Sequence, residues 1–100
     1  MDFEEPLSNG FTIYSKSGCH NCNRVKTLLK EKFLIFNVID CDEYLLEKKE
    51  DFLKFIKNKT REDVKMFPIV FYDGAFIGGY YETHEYIEKM LLSFEEFTHF

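Results

Sequence analysis

Apolar positions in the first part of the chain change their spacing twice. Residues 11–14 alternate and are rich in β-forming side chains, so they predict a first strand. Residues 33–39 form a mostly apolar run of the length typical of a buried parallel strand. Between them, residues 19–32 repeat with a helical period. The inward face that this helix predicts consists of Cys22, Val25, Leu28 and Leu29. The three blocks predict a right-handed βαβ unit with parallel strands.

The second part of the chain predicts a helix, a hairpin and a last helix. Residues 43–58 form a charged helix, and residues 83–92 form the last helix. Between them, residues 69–72 and 75–77 are strands joined by Asp73-Gly74, a pair that supplies the positive φ angles of a two-residue turn. The inward residues that these helices predict are Leu45, Phe52, Phe55, Ile56, Tyr86, Ile87, Met90 and Leu91. The last helix is expected to continue over the core through Phe94, Phe97 and Phe100. The order is β-α-β-α-β-β-α.

Length and composition fit one domain over residues 1–100, with a core at about residues 10–92 between a polar lead-in and a C-terminal tail. The net charge of −5 argues against nucleic acid as a partner. No apolar run approaches the roughly 18 residues that cross a bilayer, and the acidic start does not resemble a secretory signal. Three cysteines, an odd number, indicate a reducing compartment. We therefore expect a cytoplasmic monomer with no membrane partner (in the host cytoplasm if the chain is viral).

Cys19 and Cys22 carry the most informative chemical signal. A helix brings residues three apart onto one face, so the two thiols can form a small disulfide ring and open it again. Cys19 lies where unpaired N–H groups and the positive end of the helix dipole favour thiolate over thiol. Lys16 adds a positive charge three residues earlier. The predicted chemistry is thiol–disulfide exchange, with Cys22 as the shielded thiol that attacks a mixed disulfide at Cys19.

The cysteine pair and its neighbours have other possible uses. A zinc site needs four ligands, and the remaining candidates show no matching pair spacing, so we predict no metal site; they are His20, Cys41, His84 and His99. A protonated His20 would favour the neighbouring thiolate, while an exposed side chain with little effect is an equally good interpretation. Cys41 lies between two aspartates, whose carboxylates raise the pKa of a thiol. We expect Cys41 to be an inert structural thiol.

Three segments together resemble the glutaredoxin family of small thioredoxin-fold proteins, from Phe11 to about Leu92. They are Lys16-x-x-Cys19-x-x-Cys22, Phe67-Pro68 and Ile77-Gly78-Gly79. The resemblance implies an α/β thioredoxin fold with a mixed four-stranded sheet flanked by helices. It also implies a dithiol glutaredoxin, an enzyme that uses glutathione to reduce protein disulfides and glutathione mixed disulfides.

The resemblance assigns roles to particular residues. Cys19 is the nucleophile, Cys22 resolves the adduct, and Lys16 supports the thiolate. Pro68 is cis and presents the backbone before it to glutathione. The backbone around Tyr80 and Tyr81 binds the γ-glutamyl carboxylate at a helix N-terminus, and Lys16 or Lys65 meets the glycyl carboxylate. The implied glutathione site consists of Lys16, Cys19, Asn21, Lys65, Phe67, Pro68, Gly79, Tyr80, Tyr81 and Glu82.

The chain departs from the family between the cysteines, where His20-Asn21 replaces the Pro-Tyr of many dithiol members. This loosens the turn and removes one wall of the groove, which Tyr80 and Tyr81 could replace. Two alternatives stay open: an electron donor recharged by a flavoprotein reductase, and a dimer bridging a [2Fe–2S] cluster through Cys19 and glutathione. The intact cysteine pair disfavours a redox-inactive interaction domain. Ribonucleotide reductase is a common client of the family, but nothing in the sequence selects it.

Overall fold

A computed structural model describes the backbone of residues 3–98 and the side chains of residues 3–92. The helices and strands, in chain order, are β1 Phe11–Ser15, α1 His20–Glu31, β2 Phe36–Asp40, α2 Asp42–Glu47, α3 Lys49–Thr60, β3 Ile69–Tyr72, β4 Ala75–Gly78 and α4 Tyr80–Thr98. Within the part of the chain that the structure describes, no helix combines the length and the apolar character needed to cross a membrane.

One four-stranded sheet with the order β2-β1-β3-β4 organises the molecule. β1 and β2 are parallel, with Phe11 opposite Phe36, whereas β3 is antiparallel to both β1 and β4. The β3–β4 turn has positive φ angles at Asp73 (50°) and Gly74 (80°), as the sequence predicts for a tight hairpin. The predicted fold class, a mixed four-stranded sheet flanked by helices, is confirmed.

Two apolar clusters lie on opposite faces of the sheet and hold the helices against it. The first joins β1 and β3 to α1 and α4 and consists of Phe11, Ile13, Val25, Leu28, Leu29, Val70 and Ile87. The second joins the sheet to α3 and the β2–α2 junction and consists of Tyr14, Ile39, Cys41, Phe52, Ile56, Ile69 and Phe71. The predicted inward face of α1 is confirmed, since all four of its residues are buried. The sheet is therefore the middle of three layers.

The helix predicted over residues 43–58 is wrong in its continuity, because it forms two helices, α2 and α3. Lys48 leaves the helical conformation, with φ −140° and ψ 41°, and ends one helix as it begins the next. Residues 46–51 are all exposed. Most helical stability in proteins comes from packing of an apolar face, so this stretch has nothing that would hold a continuous helix straight.

The second strand begins at Phe36 rather than at residue 33, because residues 32–34 close the end of α1. Phe33 has a φ of 57°, and its N–H donates to Lys30 O at 3.1 Å. The Leu34 N–H donates to Leu29 O at 3.0 Å. These two bonds form the helix-ending motif that usually has glycine where Phe33 stands. The apolar run of residues 33–39 therefore contains a turn before the strand.

α4 begins at Tyr80 rather than at residue 83. It continues past residue 92 to Thr98, in agreement with the expected continuation through Phe94 and Phe97. Phe94 and Phe97 lie within it, but their side chains, and Phe100 as a whole, lie outside the described residues.

The predicted polar lead-in is packed against the domain. The Phe3 ring lies 4.8 Å from Tyr44 and 5.4 Å from Phe52, between ring centres. The Tyr14 hydroxyl donates to Glu4 O at 2.6 Å, and the Glu4 N–H donates to the Tyr44 hydroxyl oxygen at 3.2 Å. One aromatic residue among acidic neighbours thus extends the second apolar cluster to residue 3.

Candidate active site

Cys19 and Cys22 lie at the N-terminus of α1, joined as a disulfide with their Cα atoms 5.2 Å apart. Cys19 is the N-cap residue, in extended conformation, and its Sγ accepts a hydrogen bond from the Cys22 N–H at 3.1 Å. Cys22 is fully buried, whereas Cys19 is only half-buried. An N–H donor aimed at the Cys19 sulfur, together with the helix dipole, favours negative charge on that sulfur after reduction.

The loop before Cys19 is tied to the start of α2 by Asp42, a contact that the sequence analysis missed. The Ser17 N–H donates to Asp42 Oδ1 at 2.9 Å, and the Ser17 hydroxyl donates to the other carboxylate oxygen. These bonds, with a smaller contribution from the charge of Lys16, lower the pKa of Asp42. Adjacent to them, the Cys41 N–H donates to Ser15 O at 2.8 Å. The loop that carries Lys16 is therefore fixed at its centre.

A groove of about 460 Å³ begins at the cysteine turn and runs between the loop before β3 and the start of α4. This volume lies within the usual range of small-molecule sites. Seven residues predicted for glutathione line it: Asn21, Phe67, Pro68, Gly79, Tyr80, Tyr81 and Glu82. The Phe67–Pro68 peptide is cis, as expected. Residues outside the predicted glutathione site complete the wall; they are Glu62, Val64, Met66, Phe76, Ile77 and Gly78.

The two lysines predicted to meet carboxylates lie outside this lining. Both Lys16 and Lys65 are exposed. The Lys16 ammonium lies 5.7 Å from the centre of the Phe67 ring, so it stands beside one wall of the groove. Of the two, Lys16 is the one that the structure places against a groove residue.

Gly78, Gly79 and Glu82 shape the other end of the groove. Glu82 Oε1 accepts a hydrogen bond from the Gly79 N–H at 2.8 Å, which is the helix-capping bond of a glutamate in the first turn. Gly78 has a φ of 140°, and a Cβ at this position would lie 2.6 Å from the Cβ of Glu82. Glycine is therefore required there, and Glu82 serves the start of α4 as well as lining the groove. The next N–H groups of α4, those of Tyr80 and Tyr81, have no partner within the helix.

Arg24, which the sequence analysis missed, contacts three of the residues that line the groove. Its guanidinium carbon lies 4.0 Å from the centre of the Tyr80 ring and 5.7 Å from that of Tyr81. Its Nη1 donates a hydrogen bond to Asn21 Oδ1 at 3.1 Å. The side chain of Tyr81, followed by that of Tyr80, raises the pKa of Arg24, so the charged form is favoured. The available signal was the spacing of three residues between Asn21 and Arg24, which places both on one helix face.

Cys41 lies apart from the groove, in the second apolar cluster. Burial, with the charges of Asp40 and Asp42 as smaller causes, raises the pKa of its thiol from 9.0 to about 12. The two flanking carboxylates are evident in the sequence, whereas burial, the larger cause, is not. Among the residues that the structure describes, no three histidine, cysteine or acidic side chains are grouped as metal ligands would be.

Comparison with known proteins agrees with this geometry. The glutaredoxin family model matches residues 11–77. The chain is 32% identical over 82 residues to mitochondrial glutaredoxin-2 of Bos taurus, which covers 81% of this chain and 50% of that protein. It is 33% identical over 67 residues to glutaredoxin 1 of Rickettsia felis, covering 67% of this chain and 61% of that protein. The chain thus spans about half the length of the mitochondrial relatives that it matches.

Solved structures of glutaredoxins are similar to the structure of this chain. The crystal structure of glutaredoxin 1 from Francisella tularensis complexed with cacodylate has a TM-score of 0.70 at 25% identity, covering 81% of this chain and 94% of that one. The buckwheat glutaredoxin–glutathione complex has a TM-score of 0.65 at 28% identity, with coverage of 82% and 71%.

Proposed function

The chain belongs to the glutaredoxin family, and from this premise we propose that it is a glutathione-dependent thiol–disulfide oxidoreductase. The observation that carries the proposal is the groove. It begins beside the cysteine pair at Asn21, and it is bounded by the cis Phe67–Pro68 peptide on one side and by the N-terminus of α4 on the other. A thiol tripeptide with a carboxylate at each end matches this arrangement of thiol, backbone and charge.

Electrostatics supports glutathione although the protein as a whole carries a net charge of −5. The unpaired N–H groups at the start of α4 and its dipole favour a carboxylate near Tyr80 and Tyr81. Lys16 offers a positive charge beside Phe67 for the other carboxylate. The buckwheat relative was crystallised with glutathione, which supports the same ligand here.

The proposed reaction has two exchanges. The Cys19 thiolate attacks the glutathione sulfur of a mixed disulfide, the bond to the target sulfur breaks, and the target thiolate takes up a proton. A second glutathione thiolate then attacks the adduct, releasing glutathione disulfide and the Cys19 thiolate. Alternatively, Cys22 attacks the adduct and releases glutathione, giving the Cys19–Cys22 disulfide that the structure holds. With a client protein disulfide, Cys19 attacks one sulfur and the other leaves as a thiolate that takes up a proton. Cys22 then attacks the mixed disulfide, which releases the second client thiol and leaves the Cys19–Cys22 disulfide for reduction by two glutathione molecules.

A coupled assay tests the proposal. Reduction of a small glutathione mixed disulfide is followed through glutathione reductase and NADPH, with wild type, Cys19→Ser, Cys22→Ser and, as the control, Cys41→Ser. We expect no turnover for Cys19→Ser. Cys22→Ser should reduce the mixed disulfide but fail to reduce a protein disulfide, and Cys41→Ser should behave as wild type.

Two results would replace the proposal with another function. Turnover with a flavoprotein thioredoxin reductase but not with glutathione would make the chain a thioredoxin-like donor. Visible absorbance after anaerobic purification, lost in Cys19→Ser, would make it a carrier of a [2Fe–2S] cluster. Full protein disulfide reduction by Cys22→Ser would contradict the dithiol mechanism.

A further inference from the structure

Arg24 connects three residues of the groove wall without lining the groove itself. Its guanidinium stacks at 4.0 Å from the centre of the Tyr80 ring, lies 5.7 Å from that of Tyr81, and donates to Asn21 Oδ1 at 3.1 Å. Arg24 instead lines a separate depression of about 400 Å³ between α1 and α4, which shares Tyr80 with the groove. Tyr80 thus lines both the groove and this depression, whereas Arg24 lines only the depression.

The residues that Arg24 contacts lie at the surface of the fold, and each of them is at least partly exposed. Tyr81 is 65% exposed, and Asn21 stands in the cysteine turn where the chain has no proline to stiffen the backbone. Tyr80 is partly buried and packs against the first apolar cluster, and its ring centre lies 5.2 Å from that of Tyr81 and 6.0 Å from that of His84. A planar guanidinium that stacks on an aromatic ring and hydrogen-bonds a second group at once fixes their relative position.

We propose that Arg24 is a positioning residue for glutathione: it holds the Tyr80 ring and the Asn21 amide at the distance that forms the groove. The inference rests on the proposed function, because the groove is taken to bind glutathione. Arg24 would act through these two neighbours rather than on the reacting sulfur. Its loss should therefore weaken glutathione binding and leave the chemical step nearly unchanged.

The test compares Arg24→Met, Arg24→Lys and Lys30→Met in the coupled assay. Lys30→Met is the control, since it removes one positive charge from the exposed last turn of the same helix. Loss of one exposed cation–π contact and one hydrogen bond predicts a KM for glutathione raised about fivefold to tenfold in Arg24→Met, with kcat within about twofold. Arg24→Lys should stay impaired because an ammonium lacks the planar, forked geometry. Lys30→Met should match wild type.

A double mutant locates the effect. In a Tyr80→Leu background, Arg24→Met should raise the KM less than about twofold, because the stacking partner is already absent. The pKa of the Cys19 thiol, titrated by thiolate absorbance, should not change in Arg24→Met.

Each other outcome overturns the inference. A wild-type KM in Arg24→Met, full rescue by Arg24→Lys, an undiminished effect in the Tyr80→Leu background, or a raised Cys19 pKa with unchanged KM would each exclude a positioning role. Absence of glutathione turnover by the wild-type protein would overturn the proposed function as well, so the two failures are distinguishable.

Discussion

Iodoacetamide should distinguish the three thiols of the reduced protein by rates that differ by orders of magnitude. Cys22 and Cys41 have no exposed surface, whereas Cys19 is half-buried at the N-terminus of α1. The thiolate is the reacting species, and its fraction depends on the pKa of each thiol. We expect rapid alkylation at Cys19 alone.

The expected difference at Cys41 can be calculated from its surroundings. Burial, followed by the charges of Asp40 and Asp42, raises the pKa of this thiol from 9.0 to about 12. A rise of three pKa units lowers the thiolate fraction near neutral pH about a thousandfold. A thiolate of higher pKa is also the stronger nucleophile, with a Brønsted coefficient of about 0.4–0.5, so the pKa alone should slow Cys41 about 30-fold to 60-fold. Its lack of exposed surface should slow it much further.

The assay is a time course of alkylation after reduction with a phosphine, read by mass spectrometry of the three cysteine peptides. The control is the same reaction in guanidinium chloride, where all three thiols should react at similar rates. In Cys19→Ser, no rapidly reacting thiol should remain. Modification of Cys41 within about tenfold of the Cys19 rate, with native circular dichroism retained, would refute the reasoning from burial.

Three further predictions concern stability and glutathione use. Phe52→Ala removes a fully buried ring and should lower the free energy of unfolding by about 3–5 kcal/mol in urea. The same change at Phe33, which is 94% exposed, should cost less than about 0.5 kcal/mol. Because Asp42 has a lowered pKa, its stabilising effect should be present at neutral pH and disappear as the pH falls below about 4. The stability of Asp42→Asn should therefore approach that of wild type in acid. Lys16→Ala should lower kcat/KM for glutathione about tenfold, and Lys65→Ala should have the smaller effect in the same assay.

The fold was predictable where the signal is local. Alternation over residues 11–14, the Asp73-Gly74 pair and the helical period of α1 each depend on a few neighbouring residues. Two short strands joined by a positive-φ turn have one antiparallel arrangement, and a helix between two apolar strands has one handedness. These constraints together specify the sheet, including the parallel β1–β2 pair.

The errors occurred where composition and conformation disagree. Phe33 adopts a φ of 57° in a helix-ending motif, although nothing in an apolar run without glycine indicates a turn. Lys48 separates α2 from α3 within a sequence of good helix formers. At Phe33 the helix ends through two local hydrogen bonds that no glycine announces. At Lys48 the helix breaks where the exposed residues 46–51 offer no apolar face for packing.

In the candidate site, too, contacts within one segment are predictable from sequence and contacts between segments are not. Arg24 makes one contact of each kind. Its hydrogen bond to Asn21 follows from a spacing of three residues on one helix, so the sequence could have indicated it. Its stacking on Tyr80 cannot be predicted from spacing, because α1 and α4 are brought together by the packing of Leu28 and Ile87 in one cluster on the sheet. Motif residues that belong to a single segment are therefore accessible from sequence. The side chains that hold one segment against another emerge only when the core has placed those segments side by side.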